Sequence, residues 1–170
     1  MTDRIMGDAV NLASIPSTVS IVGVYRNGRY MADPNALNQR FPLNRYVHVW
    51  IDIDGSCPES AQVLDVEKFD ATPEQAPGWV KARRKVVHTS LPTIYCNRDT
   101  LPAVLGECAA EGLIAAEHYQ LWIATLDNSD EWNGRKLRTI PGVVAVQLET
   151  VSGAWDRSVV YDPRWHPLAA

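Results

Sequence analysis

The sequence lacks several features that would point to a compartment or a partner. It has only three cysteines, Cys57, Cys96 and Cys108, and their spacing matches no zinc or redox pattern, so we expect free thiols in a chain made in a reducing compartment. Lysine and arginine number 16 against 20 aspartate and glutamate residues. This balance argues against a nucleic-acid binder that works by neutralising phosphates. No apolar run approaches the roughly 20 residues that a membrane span requires.

Familiar motifs of targeting and catalysis are also lacking. Residues 1–16 do not carry the basic region and apolar stretch of a signal peptide. There is no G-x-S-x-G elbow, no Walker loop and no G-x-G-x-x-G, and the four histidines are scattered. We therefore predict neither a metal nor a cofactor. Phenylalanine is scarce, with two residues against six Trp and six Tyr, and aromatic residues with polar edges suit a carbohydrate surface as well as an ordinary core.

The periodicity of the chain predicts short strands that alternate with a few helices. Alternation of this kind is typical of an α/β fold with a mainly parallel sheet. The predicted helices are too few for a complete eight-helix barrel, and the 54–61 connection is too short for a helical crossover. We expect an irregular, helix-depleted, TIM-like β/α barrel, or else an open α/β sheet, in a single domain with an arm at 1–18 and the barrel at 19–165. The predicted strands are 19–25, 46–53, 62–67, 91–96, 119–125, 142–148 and 158–161, and the predicted helices are 33–40, 72–87 and 100–112.

An acidic pair, Asp65 and Glu67, ends the predicted strand 62–67. Side chains two residues apart on a strand share a face. Two close carboxylates repel one another, so one of them keeps its proton near neutrality. A carboxyl pair whose pKa values differ is what acid-catalysed cleavage of an acetal requires. The alternative interpretation is a strand that simply ends in solvent with acidic residues.

Polar and aromatic residues follow or end the neighbouring predicted strands. Tyr95, Trp122 and Gln147 lie where successive strands of a parallel sheet deliver side chains to one rim, and Asp156 precedes the last strand. Carboxylates, aromatic rings and an amide around one cleft suit a sugar polymer. Core packing is the alternative for Tyr95 and Trp122.

Asp52 and Asp54 form a second acidic pair, at the end of strand 46–53. If this strand runs parallel to the Asp65 strand, four carboxylates converge and a divalent metal becomes conceivable. If the strands are antiparallel, the second pair lies at the far end of the sheet. No histidine cluster accompanies either pair, and we favour a site without metal.

The order of these segments resembles that of family 25 glycoside hydrolases, which are lysozymes (N-acetylmuramidases) of phages and bacteria. The segments are VSIVGVY, VLDVE, PTIYCN, LWIAT and PGVVAVQ, followed by a late Asp before a final strand. The sequence is more similar still to a short glycoside-hydrolase-like branch found in actinobacteria and their phages, in which a GY-x-x-G-x-Y strand comes first and D-A-T-P follows the D-V-E strand. The matching segments here are residues 24–30, VYRNGRY, and residues 70–73, DATP.

The resemblance implies roles for particular residues. Glu67 matches the proton-donating general acid of the family, Asp65 its neighbouring carboxylate, and Asp156 the acid that follows the final W-Q strand. Gln147 matches the glutamine of a W-Q pair, with Val146 in place of the tryptophan.

One departure concerns the first strand, which in the family carries an Asp in a G-x-D-x-S segment. This chain has Val24 and Tyr25 at that point. We expect Tyr25 to contact substrate, and the carboxylate to be absent or supplied from elsewhere, for example by Asp52.

The resemblance implies a peptidoglycan-directed hydrolase that cuts the β-1,4 bond after N-acetylmuramic acid, with peptidoglycan or another polysaccharide as partner. The alternative is an inactive hydrolase-like domain that binds the wall or serves as a structural component, for instance beside other proteins of a phage particle. With no signal peptide, we expect synthesis in the cytoplasm and action at the cell wall or in a phage particle.

Overall fold

A computed structural model describes residues 4–88, 90–125, 136–162 and 165 of the chain. Eight strands form one closed barrel, and each strand pairs with the next in chain order until the eighth meets the first. The strands are β1 (Arg4–Asp8), β2 (Ile21–Tyr25), β3 (Val47–Asp52), β4 (Val63–Val66), β5 (Thr93–Asn97), β6 (Gln120–Ala124), β7 (Val143–Val151) and β8 (Trp155–Val160).

The direction of the strands decides which residues share a rim. Strands β1 to β7 run parallel to their neighbours, as the alternating pattern predicts. Strand β8 is antiparallel to both β7 and β1. The carboxyl ends of β1 to β7 and the amino end of β8 therefore form a single rim, which we call the mouth.

Helices cover the barrel only in part, as predicted. The α-helices α1 (Pro34–Arg40), α2 (Ala76–Val86) and α3 (Leu101–Ala110) follow β2, β4 and β5. Asp33 caps α1, since its side chain accepts a hydrogen bond from the Asn35 N–H at 3.0 Å. No helix lies between β3 and β4, where all residues are described. Within the described ranges, no helix combines the length and the apolar character needed to cross a membrane.

Alternation along the strands divides the core into an inner and an outer layer. Val49, Tyr95 and Trp122 belong to the cluster inside the barrel. Leu64 and Ile94 belong to an outer cluster that packs against α2 and α3. A side chain near the mouth can therefore contact substrate only if it lies on an inner-face position or beyond the end of its strand.

The N-terminal segment corrects one prediction. Residues 1–18 were expected to form an arm outside the barrel, but Arg4–Asp8 forms β1, which pairs with β2 and β8 and closes the barrel. The segment RIMGD is only five residues long and has charges at both ends. Its apolar pattern is therefore too short to predict a strand, and pairing on both sides stabilises it instead.

Candidate active site

Acidic side chains from three strands meet at the mouth. Asp8 is the last residue of β1 and pairs in register with Asp156 of β8. Asp65 lies on β4, and Glu67 directly follows that strand. The charges of Asp156 and Glu67 raise the pKa of Asp8, and that of Glu67 also raises the pKa of Asp65. Strands β1, β4 and β8 thus bring these four carboxyl groups within electrostatic reach of one another.

Two of these groups are almost completely removed from water. Asp8 and Asp65 are each 4% exposed. The Asp8 Oδ2 and Asp65 Oδ1 atoms are buried and accept no hydrogen bond from the described residues. Burial is the main cause that raises the pKa of both groups well above the usual range, and the neighbouring charges add to it. A buried carboxyl group without a donor is expensive, which is typical of a functional position.

Glu67 is more accessible than the two buried aspartates. It is partly exposed, and its pKa is raised first by burial and then by the charges of Asp70 and Asp156. A hydrogen bond from the side chain of Asn97 opposes this rise. The Asn97 Oδ1 atom accepts a hydrogen bond from the Thr100 N–H at 2.9 Å, which fixes the Asn97 side chain at the end of β5. An accessible carboxyl group with a raised pKa is suited to proton donation.

Asp156, on β8, is the fourth carboxyl group of the site. Burial raises its pKa, and a hydrogen bond from the Thr150 hydroxyl opposes the rise. Asp156 lies near the start of β8. Because β8 is antiparallel to both of its neighbours, the start of this strand, and Asp156 with it, lies at the mouth.

Asp8 is the site residue that sequence reasoning missed. The first-strand carboxylate was expected to be absent or supplied from elsewhere, for example by Asp52, because Val24 and Tyr25 stand where the family's first strand carries it. The first strand is β1, and it does end in an acid. Gly23 leaves the space that this acid occupies, since a Cβ atom added at Gly23 would lie 2.7 Å from Asp8 Cβ. The signal in the sequence was the segment Met6-Gly7-Asp8.

Three predicted substrate-binding residues lie at or near the carboxyl groups. Tyr25 is the partly exposed last residue of β2, and its ring packs on Tyr30 with 5.5 Å between centroids. Burial and then the charges of Asp8 and Asp65 raise the pKa of Tyr25. Tyr95 pairs in register with Asp65, and its hydroxyl donates to Gln147 Oε1 at 2.7 Å. Tyr95 and Gln147 are both buried, so they line the floor beneath the mouth.

Trp122 does not reach the rim on which it was predicted. It is 1% exposed, its Nε1–H donates to the Ser158 hydroxyl at 3.0 Å, and its ring lies 4.7 Å from that of Tyr95. The prediction that Trp122 contacts substrate is not supported by this placement. Trp122 lies on β6 and pairs in register with Tyr95. Both side chains belong to the cluster inside the barrel, where the ring of Trp122 packs against that of Tyr95.

Asp52 was expected near the substrate but points away from the mouth. It lies on the outer face of β3, fully buried, and its Oδ2 atom accepts from the Cys57 N–H at 2.7 Å and the Trp79 Nε1–H at 2.8 Å. Its Oδ1 atom accepts from the Gly55 N–H at 2.8 Å. Asp52 therefore fixes the loop after β3 against α2. Among the residues that the structure describes, no group of three or more His, Cys, Asp or Glu side chains could hold a metal ion.

Comparisons of the chain with protein-family models, with curated proteins and with solved structures found no match.

Proposed function

We propose that the protein is a glycoside hydrolase that acts on peptidoglycan and cuts the β-1,4 bond after N-acetylmuramic acid. The observation that carries the proposal is the partly exposed Glu67, whose pKa is raised, beside the buried carboxyl groups of Asp8 and Asp65. One accessible acid and a desolvated acidic pair are the groups that hydrolysis of an acetal needs.

In the proposed reaction, Glu67 gives its proton to the glycosidic oxygen as the bond to the anomeric carbon breaks. The sugar ring acquires positive charge in the transition state. Burial favours the protonated form of Asp65 and Asp8 in the free protein, but the positive charge of the sugar lowers their pKa. The carboxyl group that then releases its proton to water stabilises this charge more strongly than water would, because the mouth shields it from solvent. Water then adds to the anomeric carbon, and its proton passes to a carboxylate of the cluster.

The choice of peptidoglycan rests on the resemblance to family 25 hydrolases. The resemblance also suggests that the barrel is a reduced relative of their TIM-like barrel, and that the protein, made in the cytoplasm, acts at the cell wall or in a phage particle. Loss of the family's first-strand acid would favour the alternative of an inactive wall-binding or structural domain. Asp8 ends β1, so that reason no longer holds.

Digestion of purified cell walls tests the proposal. The wild-type protein should release muropeptides with N-acetylmuramic acid at the new reducing end, detected by mass spectrometry. Glu67→Gln should lower the rate by about 10²- to 10⁴-fold, the usual contribution of a general acid. Glu74→Gln is the matched control and should leave the rate unchanged, because Glu74 is exposed on the Pro73–Gln75 turn.

Two results would contradict the proposal. If the wild type releases nothing from several wall types across the pH range, the protein is not a wall hydrolase. If Glu67→Gln and the wild type release muropeptides equally, Glu67 has no part in the chemistry.

A further inference from the structure

Phe69 is held in an unfavourable backbone conformation in the loop that follows β4. Its φ angle is 79°, in the left-handed region that disfavours side chains larger than glycine. The Asp70 N–H donates to the Glu67 carbonyl at 3.1 Å, and the Ala71 N–H donates to the Asp65 carbonyl at 3.2 Å. These bonds close a tight turn with Phe69 at a position where glycine is usual. Strain of this kind is concentrated at functional sites.

The folded chain gains little from the ring of Phe69. The residue is 79% exposed, the highest value among the large apolar side chains that the structure describes. The ring contacts its neighbour Lys68, whose Nζ atom lies 4.9 Å from the ring centroid. Packing does not explain a strained and exposed phenylalanine. Because the ring stays in water, its burial contributes little free energy to offset the strain of the backbone.

A pocket of about 430 Å³ lies beside this ring. Its volume is within the range of small-ligand sites. Glu67 and Phe69 line the pocket together with small side chains such as Ala71 and Thr100. Asp8, Asp65 and Asp156 do not line it. The pocket lies between the loop after β4 and the first turn of α3, so it adjoins the proposed proton donor but none of the other three carboxyl groups.

We propose that Phe69 and this pocket bind the sugar on the leaving side of the cleaved bond, an inference that rests on the proposed function. The proton donor lies next to the glycosidic oxygen, which departs with the leaving sugar. The sugar that acquires charge lies over Asp8 and Asp65, so the leaving sugar occupies the space beyond Glu67. The C–H face of a pyranose ring is apolar and can stack on the exposed aromatic ring.

The inference can be tested with two substrates that share the sugar that acquires positive charge but differ in the leaving group. One is a wall oligosaccharide, which has a leaving sugar, and the other is the corresponding glycosyl fluoride, which has none. Phe69→Ala should lower the ratio of kcat/KM for the oligosaccharide to kcat/KM for the fluoride by about fivefold to tenfold. Phe69→Gly should lower it equally, since it removes the ring and relieves the strain, and Phe69→Trp should keep the ratio within about twofold of the wild type.

Leu43→Ala is the matched control. Leu43 is 64% exposed but lies between α1 and β3, at the end of the barrel opposite the mouth, and its loss should leave both rates unchanged. An unchanged ratio in Phe69→Ala would overturn the inference while leaving the hydrolase. Failure of the wild type to cleave either substrate would remove the proposed function and the inference with it.

Discussion

Asp8 and Asp52 are both almost completely removed from water, but their surroundings are opposite. Asp52 is completely buried, and backbone and indole N–H groups donate to both of its oxygens. Asp8 is 4% exposed, and its Oδ2 atom accepts no bond from the described residues. Hydrogen bonds compensate for the burial of Asp52, whereas nothing comparable compensates for that of Asp8. The presence or absence of compensating hydrogen bonds therefore distinguishes a structural carboxylate from a functional one better than burial alone does.

The raised pKa of Asp8 predicts how stability depends on pH. A carboxyl group with a higher pKa in the folded chain binds its proton more tightly when folded. Its contribution to the free energy of unfolding is present below the unfolded pKa of about 4 and is lost as the pH rises through the raised folded value. Asp8→Asn removes this loss, and we expect it to stabilise the protein at pH 7.5 by on the order of 1 kcal/mol. Denaturant unfolding measures the difference, which should shrink toward pH 4.

Asp54→Asn provides a control of opposite sign. Hydrogen bonds from Ser56, Asn27 and others lower the pKa of Asp54. That group therefore stabilises the fold above its unfolded pKa and loses this effect in acid, so Asp54→Asn should be less stable than the wild type at pH 7.5. An Asp8→Asn protein no more stable than the wild type at that pH would contradict the assigned environment of Asp8.

The strands and helices differ in how well the sequence predicts them. Strands β2 to β7 contain apolar runs, and α1 begins with the cap Asp33 followed by Pro34. These local signals are strong, and the elements form as predicted. Strand β1 has only Ile5 and Met6 as large apolar residues, so its formation depends on partners distant in the chain.

The sequence predicts only in part which side chains lie on the inner face of the barrel and which on the outer face. Alternation along β3 separates Val49 and Ile51 from Asp52, and the separation holds, with Val49 and Ile51 inside the barrel. The sequence does not tell which of the two faces is the inner one until the barrel is closed. Asp65 lies on the inner face, level with Tyr95, whereas Asp52 lies on the outer face against α2, so the expectation that Asp52 lies near the substrate was wrong.

We predict opposite effects on stability when each of two glycines is replaced by alanine. Gly23 on β2 makes room for Asp8, so Gly23→Ala should destabilise the fold by about 1 to 3 kcal/mol through overpacking, and should displace Asp8. Gly106 lies exposed on α3 with no atom within 4 Å of an added Cβ. Gly106→Ala should stabilise the fold by about 0.5 to 1 kcal/mol. Denaturant unfolding of both variants is the measurement, and equal changes would contradict the close packing of Asp8 against Gly23.

At the scale of the whole molecule, closure of the barrel assembles the site. Asp8 comes from the first strand and Asp156 from the last, and the pairing of β1 with β8 brings them together. The antiparallel direction of β8 puts Asp156 at the same end as Asp65. These contacts join residues far apart in the chain, which local sequence patterns do not predict.

A chain that begins at residue 19 tests the importance of closure. Without β1, both β2 and β8 would be exposed edges, and the fully buried Met6 would leave the inner core. We expect this chain to show no cooperative unfolding transition by circular dichroism.

Addition of a peptide of residues 1–18 should restore the transition, and the same peptide with Met6→Asp should not. A shortened chain that unfolds like the full one would show that β1 is dispensable.

The pH dependence of kcat/KM for hydrolysis of a wall oligosaccharide tests the role of Glu67 most directly. This dependence reports the pKa values of the essential groups in the free enzyme. We predict an alkaline limb with its midpoint above 4.5, the ordinary value for Glu, because burial and neighbouring charges raise the pKa of Glu67. Asp70→Asn should move that limb to lower pH, since it removes one of those charges, and Glu74→Gln should leave it in place. A limb at or below 4.5, or one that Asp70→Asn does not move, would contradict the assignment of Glu67 as the proton donor.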